Sequence, residues 1–567
     1  MKKYTEITFP KLNHFWMDSG LLGLVVLLKE IETDIEITVS NAGLTLKGTE
    51  EMMQDSLERA YELLIERYYD LSTKKQRDNT KSYNFYYDSK KDEFVVFPKK
   101  KSVGIAALIY DKQATPSNKQ IMWETDRKSN KKIIGKIPCS KSEQEWKWGE
   151  VGILPDDVDG FLNRMKEFVE KINIKIGPPS GLLVDGPNEI RPQVEIKVKA
   201  SKIKGTCYFC GEDSYSLDDV SQTTFPFITG ISGLLNFNTL CGKPEKVCWK
   251  CAFLGKFVPV NGFYLSKGDD LFAFFPFSIS LEKMFEVYAP LQDAKYEDPN
   301  LFKNFKHPLG FEKFEDGYFQ KPFEVAFAFF YTLYRKVLLH QKSDEDGGVL
   351  NWEEMCNLTI SKAPLEFVVL HAESKGPTSM GKMVWPFTDS VYFFRLIENM
   401  EKSGINIKEV VRLLIDFSQK NENRTLLRNR VCERVLKKQS VLDLIEFHVF
   451  DTDQTYIKPL FDFVTRYEPV IRKEVKSMTN EEQEAAVTLG KRIGMAVGNN
   501  GKKGDLFALR KARRKTDFLN GLNRLQFKCN LVVPPDVYEG KLTDTNFLEF
   551  KHFCMIAALN SFHAARQ

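Results

Sequence analysis

Two Cys-x-x-Cys pairs, Cys207-Tyr208-Phe209-Cys210 and Cys248-Trp249-Lys250-Cys251, stand thirty-seven residues apart in a chain of 567. No other feature of the sequence constrains the fold as strongly. Four thiolates suit tetrahedral zinc, and two intervening residues let both sulfurs of a pair reach one ion from a tight turn. The pairs therefore predict a Cys207, Cys210, Cys248, Cys251 quartet, with Gly211 and Ala252 easing the chain's turn after each pair. The separation is longer than in a short zinc ribbon, so Glu212–Val247 reads as an inserted lobe. Cys241, inside that lobe, is the alternative ligand. The competing interpretation is two redox dithiols or four buried free cysteines, but a thioredoxin-like site uses one such pair at a helix start, not two. Four thiolates leave no position open for water, so the expected zinc is structural.

A chain this long exceeds what one hydrophobic core serves, and two to four domains are expected. Its 44 Phe and 20 Tyr imply an aromatic-heavy core with some rings left for stacking. The net charge of +4 conceals an asymmetry: residues 491–528 hold eleven Lys/Arg against two Asp/Glu, while 70 basic residues face 75 acidic ones elsewhere. A basic segment on a near-neutral body points to a local polyanion contact. The ten cysteines are too sparse for a disulfide framework and fit a reducing cytosol. Met-Lys-Lys runs straight into Thr5-Glu6-Ile7-Thr8 without a signal-peptide core, and apolar Gly20–Leu28 is too short to span a bilayer. Together with a Lys-, Asn- and Ile-rich composition, this gives a cytoplasmic, prokaryotic expectation with no membrane partner.

The predicted fold class is α+β: a mixed N-terminal region with an inserted zinc-binding lobe, followed by an all-helical C-terminal bundle. Expected boundaries are an N-terminal α+β domain at 1–200, the zinc lobe at 201–262, the rest of the α+β body at 263–386 and helices over 387–567. Residues 1–40 read as strand, helix, strand, and Thr49 caps a helix over Glu50–Leu71. Ser142–Ile174 reads as mostly helical and Val194–Lys199 as a strand. Phe263–Leu265 and Leu271–Phe277 form a hairpin, an aromatic helix covers 322–340, and Pro364–Leu370 is a strand. Helical patterns then run through Tyr392–Lys402, Ile407–Gln419, Leu426–Leu436, Gln454–Ser477, Asn480–Gly498, Gly504–Leu525 and Asp544–Ala564.

Two basic regions are candidate nucleic-acid contacts. In Ser72–Lys132, aromatic residues alternate with Lys99, Lys100, Lys101, Arg127, Lys128, Lys131 and Lys132. Phosphates want cations and bases want flat faces, although a solvated loop around core strands reads equally well. Toward the C-terminus, Lys502, Lys503, Arg510, Lys511, Arg513, Arg514 and Lys515 form a phosphate track, with the three arginines on one helical face. Asp269 and Asp270 sit at the hairpin tip, as do the paired carboxylates of palm-type polymerases and cyclases. Lys267 replaces the first glycine of that motif, and ordinary turn chemistry explains the pair more simply. The sequence carries no phosphate-binding loop, nucleophile elbow, His-Glu-x-x-His or dinucleotide fingerprint. None of the seven histidines lies in a His–Asp dyad or a metal spacing by sequence.

The cysteine quartet, the chain size, the region from Phe15-Trp16 through Gly20-Leu21-Leu22-Gly23 and the helical C-terminal third together resemble one family. It is the large subunit of type I CRISPR surveillance complexes (Cascade), of the I-B subtype with paired Cys-x-x-Cys motifs. The resemblance covers the layout of the whole chain; at residue level it rests on the cysteines. It implies a non-catalytic protein beside the backbone subunits, the subunit holding the guide RNA's 5′ end and the small subunits. Such a protein reads a protospacer-adjacent motif in target double-stranded DNA, helps open the duplex and recruits the helicase–nuclease. The region 81–132 would then suit duplex entry, and the C-terminal helices would line the displaced single strand. Met400 or Met478 would be the internal start of a separately made small subunit. The rival readings are a palm-type nucleotide polymerase or cyclase, and a zinc-dependent protein–protein adaptor.

Overall fold

The computed structural model describes residues 4–64, 83–88, 91–98, 120–125, 132–134, 137–139, 142–146, 158–171, 181–184, 203–219, 246–267, 269–285, 321–334, 366–375, 378–452, 454–472 and 478–566. They fall into two compact units, Met1–Phe305 with Ser361–Pro386, and Lys306–Ile360 with Phe387–Gln567. The chain is mixed α/β with a helical C-terminal region, as expected. Among the described residues no helix is long and apolar enough to cross a membrane.

The first unit opens with strand β1 (Tyr4–Pro10), helix α1 (Phe15–Glu30), β2 (Glu36–Ser40) and β3 (Gly43–Thr49). The β2–β3 hairpin lays β3 antiparallel between β1 and β2. Helix α1 is buried continuously from Trp16 to Leu28, as an apolar run without a polar face requires. Asp18 lies on this buried helix. It accepts hydrogen bonds from the Leu12 amide and the Lys11 ammonium, both at 2.9 Å. Helix α2 (Glu50–Leu64) begins where Thr49 Oγ1 accepts from the Met52 amide, and it buries Met53, Leu57, Ala60 and Leu64 at helical spacing.

The next strands are β4 (Tyr83–Asp88), β5 (Glu93–Pro98), β6 (Gln120–Thr125), β7 (Lys132–Ile134), β8 (Ile137–Cys139), β9 (Ser142–Trp146) and β10 (Gly181–Val184), with helix α3 (Val158–Lys171) before β10. One sheet runs β5-β4-β10-β6-β7, and α3 packs Phe161 against Tyr87 at 4.9 Å. The mostly helical reading of Ser142–Ile174 is corrected here: its first five residues form β9, antiparallel to β8. Ser142–Trp146 is four polar residues and one aromatic, with no apolar stripe at helical spacing, so pairing with β8 decides its conformation.

Two short ladders follow, β11 (Gly205–Thr206) with β12 (Asp213–Ser214) and β13 (Leu217–Asp219) with β14 (Lys246–Cys248). They lead into helix α4 (Trp249–Asn261), which packs along α1. The approach is close because α1 presents Gly20 and Gly23. A Cβ on Gly20 would lie 2.1 Å from the Leu254 carbonyl oxygen, and one on Gly23 would lie 2.4 Å from that of Phe257. The unit closes with a four-stranded sheet of β15 (Phe263–Lys267), β16 (Asp270–Phe277), β17 (Glu366–Lys375) and β18 (Thr378–Phe387), in sequential order.

The second unit is helical: α5 (Pro322–Thr332), α6 (Ser390–Lys402), α7 (Ile407–Leu413), α8 (Leu426–Leu436), α9 (Leu442–Asp451), α10 (Lys458–Arg472), α11 (Asn480–Asn500), α12 (Lys503–Arg510), α13 (Lys515–Cys529) and α14 (Phe547–Arg566). Helix α5 packs here, not with the sheets. Its Glu324, fully buried, accepts from Arg428 Nε on α8 at 2.9 Å and from the Thr425 hydroxyl at 3.2 Å. The central pair is α11 with α14, fitted through glycines. A Cβ at Gly490 would stand 2.2 Å from the Cys554 carbonyl oxygen, and one at Gly494 would stand 2.2 Å from that of Ala558. The expected helix Gly504–Leu525 is in fact two, α12 and α13, and the turn between them is fixed from outside: the buried Lys551 ammonium donates to the Ala512 carbonyl at 3.1 Å.

Candidate metal centre and cationic surface

The first cysteine pair lies in the turn between β11 and β12. Gly211 adopts φ of 71°, and its amide donates to the Cys207 carbonyl at 3.0 Å, while the Cys207 amide donates to the Glu212 carbonyl at 2.8 Å. The second pair straddles the end of β14 and the start of α4, with Cys248 at the N-cap and Cys251 in the first turn. A helix N-terminus favours negative charge, so both sulfurs occupy a place suited to thiolates. The pairs meet through Tyr208, whose amide donates to the Lys246 carbonyl at 2.9 Å, and through the Cys248 amide, which points at Cys207 Sγ from 3.3 Å.

All four sulfurs lie within 4.8 Å of one another, and none is in a disulfide. Cys210 Sγ and Cys248 Sγ are 3.8 Å apart. A tetrahedron with metal–sulfur arms of about 2.3 Å has edges of about 3.8 Å. Three of the cysteines are buried and Cys210 is partly so. The neighbouring sulfurs, and then burial, push the Cys251 and Cys248 thiols up, while contacts from those same sulfurs hold Cys207 down. Four crowded sulfurs cannot share negative charge without a cation among them. The donor set, the spacing and the amide directed at sulfur therefore fit a metal ion of zinc's preferences. Among the described residues this is the only group of three or more His, Cys, Asp or Glu side chains placed to hold one. Cys241 lies outside the described residues.

The centre is joined to the N-terminal elements. Lys250, between the second pair of cysteines, donates to the Thr8 carbonyl at 3.0 Å and pairs with Glu212 at 2.5 Å. Trp249 meets Phe9 edge-on at 5.8 Å, and Phe209 meets His14 at 5.9 Å. The cysteines thus belong to the same packed body as β1, α1 and α4. No local pattern in the sequence signals these long-range contacts.

The cationic candidates divide. Lys99, Lys100, Lys101, Arg127, Lys128 and Lys131 lie outside the described residues, and Lys132 opens β7 opposite Thr125. Lys502, Lys511, Arg513 and Arg514 are exposed, and Lys503 and Lys515 are half-buried. Lys503 stands 5.9 Å from the Phe507 ring. Arg510 does not share a helical face with Arg513 and Arg514, because α12 ends at Arg510 and the other two lie in the turn before α13. It donates instead to both oxygens of buried Glu446, at 2.7 and 3.1 Å, and its guanidinium lies 4.9 Å from the Phe450 ring. Its charge is committed internally. Lys491, Arg492 and Arg524, which the sequence marks only as part of the basic run, are exposed on α11 and α13.

The hairpin aspartates are also arranged differently from the expectation. Asp270 lies 2.7 Å from His371 Nε2 across the β16–β17 ladder, so a His–Asp pair does exist. It is formed by strand pairing over 101 residues and has no sequence spacing to reveal it. The His371 ring stacks on Phe272 at 4.5 Å, and Asp269 is exposed at the tip. No protein-family model matches this chain, and no curated protein matches it either.

Proposed function

We propose that this protein is the non-catalytic large subunit of a type I-B CRISPR RNA-guided surveillance complex. In this reading it contacts target DNA, helps open it and docks the helicase–nuclease, with a structural zinc at Cys207, Cys210, Cys248 and Cys251. The observation that carries the reading is the state of the basic segment. Lys491, Lys511, Arg513, Arg514 and Arg524 stand at the surface of the helical unit, and among the described residues none of them is paired with an acid. Cations left to water across one helical module are what a phosphate track requires. The quartet supports the same reading by fixing a body without supplying an open coordination position. Zinc, when bound, would contribute folding energy; the chain's own residues do the holding, through Lys250, Tyr208 and the first turn of α4.

Element boundaries also favour one of the two internal starts that the resemblance suggests. Met400 is buried inside α6, so a chain beginning there would cut a helix. Met478 directly precedes Thr479, whose side chain and that of Glu482 cap α11 reciprocally, so a chain beginning there would start on an intact helix. The palm-type alternative gains little support. Asp270 is held by His371, and the sheet that carries it is a sequential meander.

The test is DNA binding by the purified complex with and without this subunit. Motif-dependent target binding should require it, and unchanged motif preference in its absence would overturn the proposal. In the isolated chain, the Lys511→Ala, Arg513→Ala, Arg514→Ala variant should weaken DNA binding and flatten its salt dependence by about 0.7 to 0.9 in log–log slope for each phosphate no longer neutralised. An unchanged slope would support the protein-adaptor alternative.

A further inference from the structure

Strand β1 closes one side of the three-stranded sheet, and its outer edge pairs with no further strand among the described residues. Alternate residues of an antiparallel strand turn their N–H and C=O groups to the same side. Thr8 turns outward, since its carbonyl accepts from Lys250, which lies outside the ladder, and Glu6 two residues earlier turns outward with it. Strand β12 has an open edge too. Glu212 and Ser214 give their carbonyls to the Cys207 and Lys204 amides, so Asp213 between them turns its own groups away. Both edges line one hollow of about 190 Å³, with Tyr215 and Trp249, each half-buried, in its wall. Unpaired strand edges beside open space are what an added strand from another polypeptide requires.

Charge selects the occupant. A second hollow, of about 370 Å³, adjoins the first at Glu6 over the exposed polar face of the sheet. The carboxylates of Glu6, Asp34, Glu36, Glu212 and Asp213 line the two hollows against the ammoniums of Lys47 and Lys250. Lys47 reaches Glu6 at 3.6 Å and Lys250 reaches Glu212 at 2.5 Å, which leaves Asp34, Glu36 and Asp213 without a cation among the described residues. Lys250 also shows how the slot takes an ammonium, held between the Glu212 carboxylate and the outward carbonyl of Thr8. An incoming Lys or Arg finds the same kinds of acceptor, and the faces of Tyr215 and Trp249 favour a cation further. Phosphates would meet like charge on this surface, so the occupant is a polypeptide and not a nucleic acid.

We infer that the β1–β12 edge is a docking slot for an extended, Lys- or Arg-bearing segment of a partner polypeptide, which adds to β1 as a strand. The slot lies in the unit that carries the cysteine quartet, and it stands independently of the phosphate contacts proposed for the helical unit.

The experiment measures binding of the full chain to a fluorescent octapeptide of alternating Lys and Val. Octapeptides of alternating Glu and Val, and of alternating Lys and Pro, serve for comparison. Proline keeps the charge but removes every second ladder donor. The Lys-Val peptide should bind more tightly than either, and amide hydrogen exchange in the parent chain should slow at Glu6 and Thr8 when it does. Glu6→Gln combined with Asp213→Asn should weaken binding by about 2- to 30-fold and flatten its salt dependence, as two exposed ion pairs would. Equal affinity for the Lys-Val and Lys-Pro peptides overturns strand addition. Unslowed exchange at Glu6 and Thr8, or unchanged affinity in the double variant, overturns the location. A chain that does not bind the Lys-Val peptide overturns the proposal as a whole, whatever its affinity for DNA.

Discussion

Two buried glutamates in the helical unit respond to the same environment in opposite ways. Burial alone would raise Glu446, but His552, with Nδ1 3.8 Å away, and the hydrogen bonds and charge of Arg510 outweigh it and hold the carboxyl below its ordinary range. The contribution of Glu446 to stability is therefore present above the unfolded value and lost as pH falls through the folded one. Glu468 accepts from the Val441 amide at 2.9 Å and the Ser440 hydroxyl at 3.1 Å, while nearby Arg472 pairs with Glu549 at 2.5 Å. Burial pushes Glu468 from 4.5 to about 7. Its contribution is full below the unfolded value and disappears as pH rises through about 7. At about 1.4 kcal/mol for each tenfold change, the penalty at pH 8 is on the order of 3 kcal/mol. Glu468→Gln keeps the shape and removes the ionisation, so it should raise the melting temperature at pH 8 and leave it nearly unchanged at pH 5. A difference of the same size at both pH values would show that packing, not ionisation, sets the effect. Arg510 shows how far a charge in the sequence can differ from a charge at the surface. By position it is a neighbour of Arg513 and Arg514 in a basic run, but it is neutralised by a carboxylate 64 residues away.

At the scale of elements, small residues decide which helices come together. Gly20 and Gly23 let α1 meet α4, and Gly490 and Gly494 let α11 meet α14. A methyl group at Gly494 would point into the backbone oxygen of Ala558, which no rotamer change can relieve. Gly494→Ala should therefore destabilise the helical unit by about 1–3 kcal/mol, the usual cost of overpacking a close-fitted interface. Gly504→Ala, where nothing lies within 4 Å, is the control and should be neutral or slightly stabilising inside α12. Equal melting temperatures for the two variants would refute the close packing. Much of this level was legible in the sequence. The opening strand, α1, the capped α2, the β15–β16 hairpin and the full span of α8 follow from periodicity and caps. β3, β18 and α9 were not legible. β3 and β18 pair with the strands just before them, but Gly43, Gly48 and Gly381 interrupt their apolar alternation, whereas α9 depends on packing against the distant α14. The break between α12 and α13 was hidden for the same reason, since Lys551 on α14 satisfies the exposed carbonyl. The cysteine quartet was legible because metal-ligand spacing is local within each pair, and only the joining of the pairs is long-range.

For the molecule as a whole, the quartet and the cationic surface lie in different compact units, and this separates their dependence on metal. The sulfurs sit at the start of α4, α4 packs against α1, and Lys250 and Trp249 tie the same turn to β1. Loss of the proposed zinc would leave four sulfurs crowded at a helix N-terminus and release the β11–β14 ladders that present them. A structural site of this kind contributes folding energy directly, so chelation acts on stability and not on a chemical step. The second unit is held by other interactions: the Glu324–Arg428 pair buried between α5 and α8, the α11–α14 fit and the Glu446–Arg510 pair. Removal of metal, or Cys251→Ser, should therefore speed amide hydrogen exchange in α1, α4 and β14, with α11 and α14 retaining their protection. Under the proposed function, oligo-dT binding through the cationic surface of the helical unit should persist. Metal analysis of the untreated protein should find one zinc per chain. Exchange that accelerates equally in both units would mean that the quartet governs the entire fold, and loss of oligo-dT binding on chelation would place the metal within the nucleic-acid interface.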